Sequence, residues 1–170
     1  TDLIEIIKSN FSNFCISGAC YPEYHPESSN SVDDIKFTKM KQDKGVDFLI
    51  TQLFFDNKDF LSFREKAIKN GITIPIIPGI LPITSTKQIR RFTKLCGAKI
   101  PLKLNEKLEN SINDDQETTK LGIEYATNQI LELIDNDIPG IHFYSLNKTT
   151  SVGHVLNNLG ISNQNPEYII

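Results

Sequence analysis

FCISGACYPEYHPES, residues 14–28, begins as an apolar run and ends as a polar, proline-rich loop. Pro22 and Pro26 each lack a backbone donor and push the residue before them to extended geometry, so the second half is not helix. Nor is it core, because Tyr21, Glu23, His25 and Glu27 crowd into it. The segment reads as a buried strand that runs straight into a stiff loop presenting reactive side chains.

Three further runs resemble the first: VDFLITQLFF (46–55), IPIIPGIL (74–81) and GIHFYSL (140–146). All are near-continuously apolar and rich in Ile and Phe, as expected of parallel strands covered on both faces. Helical patterns lie between them. Val32, Ile35 and Met40 are placed on one inner face, with Lys36, Lys39 and Lys44 outward and Gly45 as the stop. Phe60, Phe63 and Ala67 form the next stripe, ended by Asn70-Gly71. Ser85 to Gln88 reads as an S-x-x-Q capping box opening a helix with Ile89 and Phe92 on one side. Asp114 to Glu117 caps a longer helix striped by Ile123, Ala126, Ile130 and Leu133. Short helices are predicted at 2–9 and 150–159.

Strands alternating with helices predict an α/β protein with a parallel sheet, either doubly wound or part of a (β/α)₈ TIM barrel. The loops after all four strands (YPEYHPES, DNKD, PITSTKQ, NKTTS) are polar and structured. A barrel gathers such loops at its C-terminal face. A doubly wound sheet would announce its site with G-x-G-x-x-G, which is not found here. Four strands cannot close an eight-stranded barrel. The expectation is therefore the C-terminal half of one, about four βα units, with residues 1–170 as a single domain and the N-terminal half absent. Phe48, Ile50, Phe54, Ile76 and Ile80 are then expected to await neighbours from the missing strands, leaving the fragment alone prone to association.

Composition narrows the function. With 170 residues the chain can bury a real core, and a net charge of −3 argues against nucleic acid or an anionic membrane as partner. No apolar run approaches a membrane span. Cys15, Cys20 and Cys96, odd in number and scattered, read as reduced cytoplasmic thiols. Cys20 and His25 lack two further ligands at metal spacing, so no metal site is expected. Nothing marks a thiol for nucleophilic work, and Glu23 and Glu27 read most simply as solvated loop charges.

Gln52 stands apart, since it interrupts the apolar strand LITQLFFD and a buried amide needs partners. It is either a satisfied core glutamine or a grip on a heterocycle at the mouth of the sheet. Gln88 and Phe92 have bland readings as cap and stripe. His142 and Tyr144 alternate with Ile141 and Phe143, so one pair faces inward.

GACYPEYHPES, DFLITQLFFD, PIIPGILPITS and GIHFYSLN, in this order and spacing, resemble the methylenetetrahydrofolate reductase family from near Leu3 to about Gly160. The resemblance implies a TIM-barrel flavoprotein that holds FAD and reduces 5,10-methylenetetrahydrofolate to 5-methyltetrahydrofolate with NADH or NADPH. It implies a cytoplasmic enzyme of one-carbon metabolism and methionine biosynthesis, homo-oligomeric at full length, with both substrates taking turns at one flavin face. By that resemblance Tyr21, His25 and Ser28 touch the cofactor, and Asp34 and Lys41 bind its ribose and phosphate portion. Gln52 meets the pterin; Gln88 and Phe92 line the folate or nicotinamide face; Tyr144 and Lys148 lie near the folate. Phe37 and Met40 stand where bacterial members often carry a polar and a basic residue, and Lys148 where an arginine is common. The resemblance places the family's catalytic glutamate upstream, so no catalytic residue is assigned in this chain and the fragment alone is expected to be inactive. The competing readings are a non-catalytic flavin- or folate-binding half-barrel module and an unrelated α/β-barrel enzyme.

Overall fold

The computed structural model describes residues 2–161. Its elements run α1 (Asp2–Asn10), β1 (Ser17–Cys20), α2 (Ser31–Asp43), β2 (Phe48–Thr51), α3 (Asn57–Lys69), β3 (Ile76–Ile77) and β4 (Gly79–Ile80). They continue with α4 (Thr86–Cys96), α5 (Leu102–Asn110), α6 (Asp115–Ile134), β5 (His142–Phe143) and α7 (Thr150–Asn158). Among the described residues no helix is long and apolar enough to cross a membrane.

All strand pairs are parallel and join neighbours in chain order, β1-β2-β3 and then β4-β5. The α/β class with parallel strands is as the sequence predicts. Each strand is shorter than its apolar run, because the flanking residues leave the ladder while staying apolar. The third run breaks in two at Pro78, which cannot donate to a ladder; β3 pairs with β2, and β4 turns to β5.

Register decides which side chains face where. In parallel pairs the partners share a face, so Ser17–Phe48, Ala19–Ile50 and Ile50–Ile77 place one set together. This face is open: Ser17 and Ala19 are exposed, and Phe48, Ile50 and Ile77 half-buried. Cys20, Leu49, Thr51 and Ile76 form the opposite face, buried in the core with Phe60, Phe63, Ala67 and Ile130. Of the five residues expected to lack neighbours, only Phe48 and Ile50 are partly uncovered. Phe54, Ile76 and Ile80 are buried, Phe54 by stacking on Phe60 with ring centroids 5.5 Å apart.

Several helix signals hold. Asp114 accepts from the Gln116 and Glu117 N–H groups and starts α6, whose Ala126, Ile130 and Leu133 are buried. Others fail. Val32 and Met40 are exposed, not inner; α2 has no apolar stripe and instead buries Asp34, Ile35 and Thr38. The Ser85–Gln88 capping box is not made: Ser85 forms no side-chain cap, and Gln88 Oε1 is 3.5 Å from the Thr84 hydroxyl. α5 goes beyond the sequence expectation: it follows Pro101, and only Leu104 and Leu108 turn inward, too narrow a stripe to mark a helix.

Candidate active site

The loop after β1 is ordered by its own polar groups. Asp34, buried in the first turns of α2, accepts at one oxygen from the Ser28 hydroxyl (3.1 Å) and the His25 N–H (3.3 Å). His25 Nδ1 accepts from the Glu27 N–H at 3.1 Å, leaving Nε2 as the ring's outward atom, and the ring sits edge-on to Tyr21, centroids 4.6 Å apart. Burial is the largest influence raising the Tyr21 phenol, followed by Asp34. Lys41 donates to the Ala19 carbonyl at 2.6 Å, so its ammonium stands at the end of β1 with two N–H bonds to spare. Tyr21, His25, Ser28 and Asp34 thus form one connected cluster, with Lys41 beside the strand it grows from.

Gln52 is the first residue past β2 and is held there by its N–H to the Cys20 carbonyl (2.7 Å). Its Oε1 takes the Leu53 N–H at 2.9 Å, and Nε2 has no protein partner among the described residues. It lines a cleft of about 260 Å³ with Phe92, Tyr144 and Leu146. Tyr144 also borders a narrow crevice next door, lined by Gln88 and Lys148. A third crevice joins Gln52 to Tyr21 and Glu23. Four of the five substrate-side residues that the resemblance implies, Gln52, Gln88, Phe92 and Lys148, therefore converge around the fifth, Tyr144.

Tyr144 is locked in place. Its hydroxyl, pushed up in pKa chiefly by burial and so kept protonated, donates to the Thr51 carbonyl at 2.8 Å. Its ring lies on Gly79, where a Cβ would come within 2.6 Å of it and 2.4 Å of Thr51 O. Thr51 Oγ1 in turn accepts from the Gly79 N–H (2.9 Å). The His142 ring meets Tyr144 edge-on at 4.8 Å, so these two share a side, as their alternation predicts. The turn that follows is strained: Leu146 and Asn147 sit in the left-handed region at φ +50 and +61, although Leu146 is bulky.

Glu23 corrects the sequence reading. Far from solvated, its side chain is 6% exposed and accepts the Lys99 N–H at 3.0 and 3.2 Å. No local signal could have shown this, since the partner is 76 residues away. Burial pushes the Cys20 thiol up to about 12 and raises that of Cys96. A wider groove of about 530 Å³ between α6 and α7, lined by Lys120 and His154, touches none of the predicted site residues.

Comparison with known proteins accords with these motifs. Residues 1–160 match the family model described as methylenetetrahydrofolate reductase. A 5,10-methylenetetrahydrofolate reductase of Buchnera aphidicola from Schizaphis graminum is 38% identical over 94% of this chain and 54% of its own length. The Escherichia coli K12 enzyme of the same name is 35% identical over 95% of this chain and 54% of its own length. The chain thus spans about half the length of these bacterial relatives. A solved structure, described as an uncharacterized protein from Clostridium thermocellum that binds two copies of 5-methyl-5,6,7,8-tetrahydrofolic acid, superposes with a TM-score of 0.62. It covers 95% of this chain and 59% of its own, at 24% identity, a likeness of fold alone. This chain belongs to the methylenetetrahydrofolate reductase family.

Proposed function

We propose that the chain forms the C-terminal half of a (β/α)₈ barrel that reduces 5,10-methylenetetrahydrofolate with FAD and NAD(P)H. The carrying observation is the convergence of Gln52, Phe92 and Tyr144 on one cleft, with Gln88 and Lys148 in the adjoining crevice. The barrel reading draws support from consecutive parallel strands with one face packed by helices and the other open.

The residues present suit the cofactor. Lys41 offers spare ammonium donors for a pyrophosphate or ribose oxygen, the Tyr21 and His25 rings offer flat edges, and Asp34 keeps one oxygen without a protein partner among the described residues. FAD, when bound, supplies the hydride relay between nicotinamide and folate. The chain's own residues bind and orient. Gln52 Nε2 donates to the pterin, Phe92 stacks on a flat ring, and Lys148 meets an anionic tail as a point charge. Leu53 and Leu81 keep the cleft apolar and limit water around the reacting groups.

The test is made on the full-length protein. It should purify yellow, and Gln52→Ala should weaken folate binding by roughly 1–3 kcal/mol with thermal stability unchanged. A protein that takes up no FAD on titration, or a Gln52→Ala variant with normal folate kinetics and lowered stability, would refute this reading.

A further inference from the structure

We infer that Glu23 is a positioning residue, a latch that fixes the cofactor-side loop to the far end of α4 and so couples the flavin and folate sides of the site. The inference rests on the functional reading above.

α4 carries both Gln88 and Phe92. Its start is tied down by the Thr86 hydroxyl, which donates to the Leu108 carbonyl at 3.2 Å. Its last residue, Cys96, and the residues just past it lie against the loop after β1. Cys96 lines both the Gln52–Phe92 cleft and the crevice that holds Tyr21 and Glu23. Gly97, at φ +74, packs so close that a Cβ there would lie 3.0 Å from Pro26 Cγ. Lys99 gives its backbone N–H to both Glu23 oxygens.

Only the Glu23 contact is polar and directional. A carboxylate sheltered to this degree and gripping a backbone donor makes a strong bond of defined geometry. The Lys99 ammonium, 3.6 Å away on a side chain 78% exposed, adds little. The latch therefore depends on the Glu23 oxygens and the Lys99 main chain, not on the lysine charge. Loosening it would let the end of α4 drift from the loop, moving Phe92 relative to Tyr21 without touching either.

Full-length protein would be titrated with FAD by flavin fluorescence, with and without saturating 5-methyltetrahydrofolate, alongside hydrogen exchange of the Lys99 amide in the ligand-free state. In the wild type, folate should tighten FAD binding and the Lys99 amide should be protected. Glu23→Ala should weaken FAD roughly tenfold, abolish the folate-induced shift and expose the amide. Glu23→Gln, which keeps an acceptor oxygen, should retain most of the shift, and Lys99→Ala, which keeps the N–H, should match wild type. A Glu23→Ala variant that loses FAD affinity but keeps the folate-induced shift would overturn the coupling, leaving only a loop brace. Unchanged protection of Lys99 in that variant would overturn the latch itself. A wild type that binds neither FAD nor folate would sink the functional reading instead, with the exchange measurement still deciding the latch.

Discussion

Gly122 provides the sharpest test of how α6 supports the site. It lies on the buried face of that helix, directly against the backbone of Ile83. A Cβ there would sit 1.9 Å from Ile83 O, 2.7 Å from Ile83 C and 2.8 Å from Ile83 N. Carbon contacts relax only at about 3.5 Å, so helix and strand exit must part by an ångström or more. Neither side is a flexible side chain that could rotate away. Alanine gains about 1 kcal/mol of helix propensity over glycine. Overpacking typically costs about 1–3 kcal/mol, and a backbone-on-backbone clash belongs at or above the top of that range. The balance is a net loss of about 2 kcal/mol for Gly122→Ala, read as a lowered urea midpoint in the full-length protein. Folate affinity should fall too, because the same segment leads through Leu81 and Thr84, which border the clefts. Gly153→Ala is the control: that helical glycine faces open space, so the change should stabilise by about 0.5–1 kcal/mol. If Gly122→Ala proves as stable as its parent, the close packing of α6 on Ile83 is wrong.

Three other outcomes are expected. Gly79→Ala should push the Tyr144 ring from its seat and reduce folate binding roughly tenfold or more while FAD binding changes little; equal loss of both in equilibrium titrations would argue for general unfolding. Burial, the largest influence, lifts the Glu23 carboxyl above 4.5 against the opposing Lys99 N–H, so the folded state holds that proton more tightly than the unfolded chain. Its contribution to stability is complete below pH 4.5 and lost as pH rises through the raised value; Glu23→Gln should therefore gain stability relative to wild type across that window in denaturation series, and a constant difference would contradict the assignment. Brief alkylation at neutral pH followed by peptide mass spectrometry should label exposed Cys15 first and spare Cys20, whose thiol burial pushes up to about 12.

What could be read from residues alone was the local and the repetitive. The Asp114 cap, the Phe60–Phe63–Ala67 stripe and the proline-stiffened loop depend on partners a few residues away, so their spacing in the chain states their geometry. The β–α alternation and the four strand motifs brought the class and the family within reach for the same reason. Burial was another matter. α2 hides Asp34 and Thr38 and exposes Val32 and Met40, since its inner face answers to the loop at Ser28 and not to its own hydropathy. Where Pro78 splits the third apolar run, both pieces are apolar, and only the choice of neighbouring strand distinguishes them. Tyr144 is held by a carbonyl 93 residues earlier, and Glu23 by an amide 76 residues later. Such pairs leave no periodic trace, because a hydrogen bond between distant segments is decided by where the whole chain packs and not by what stands beside either residue.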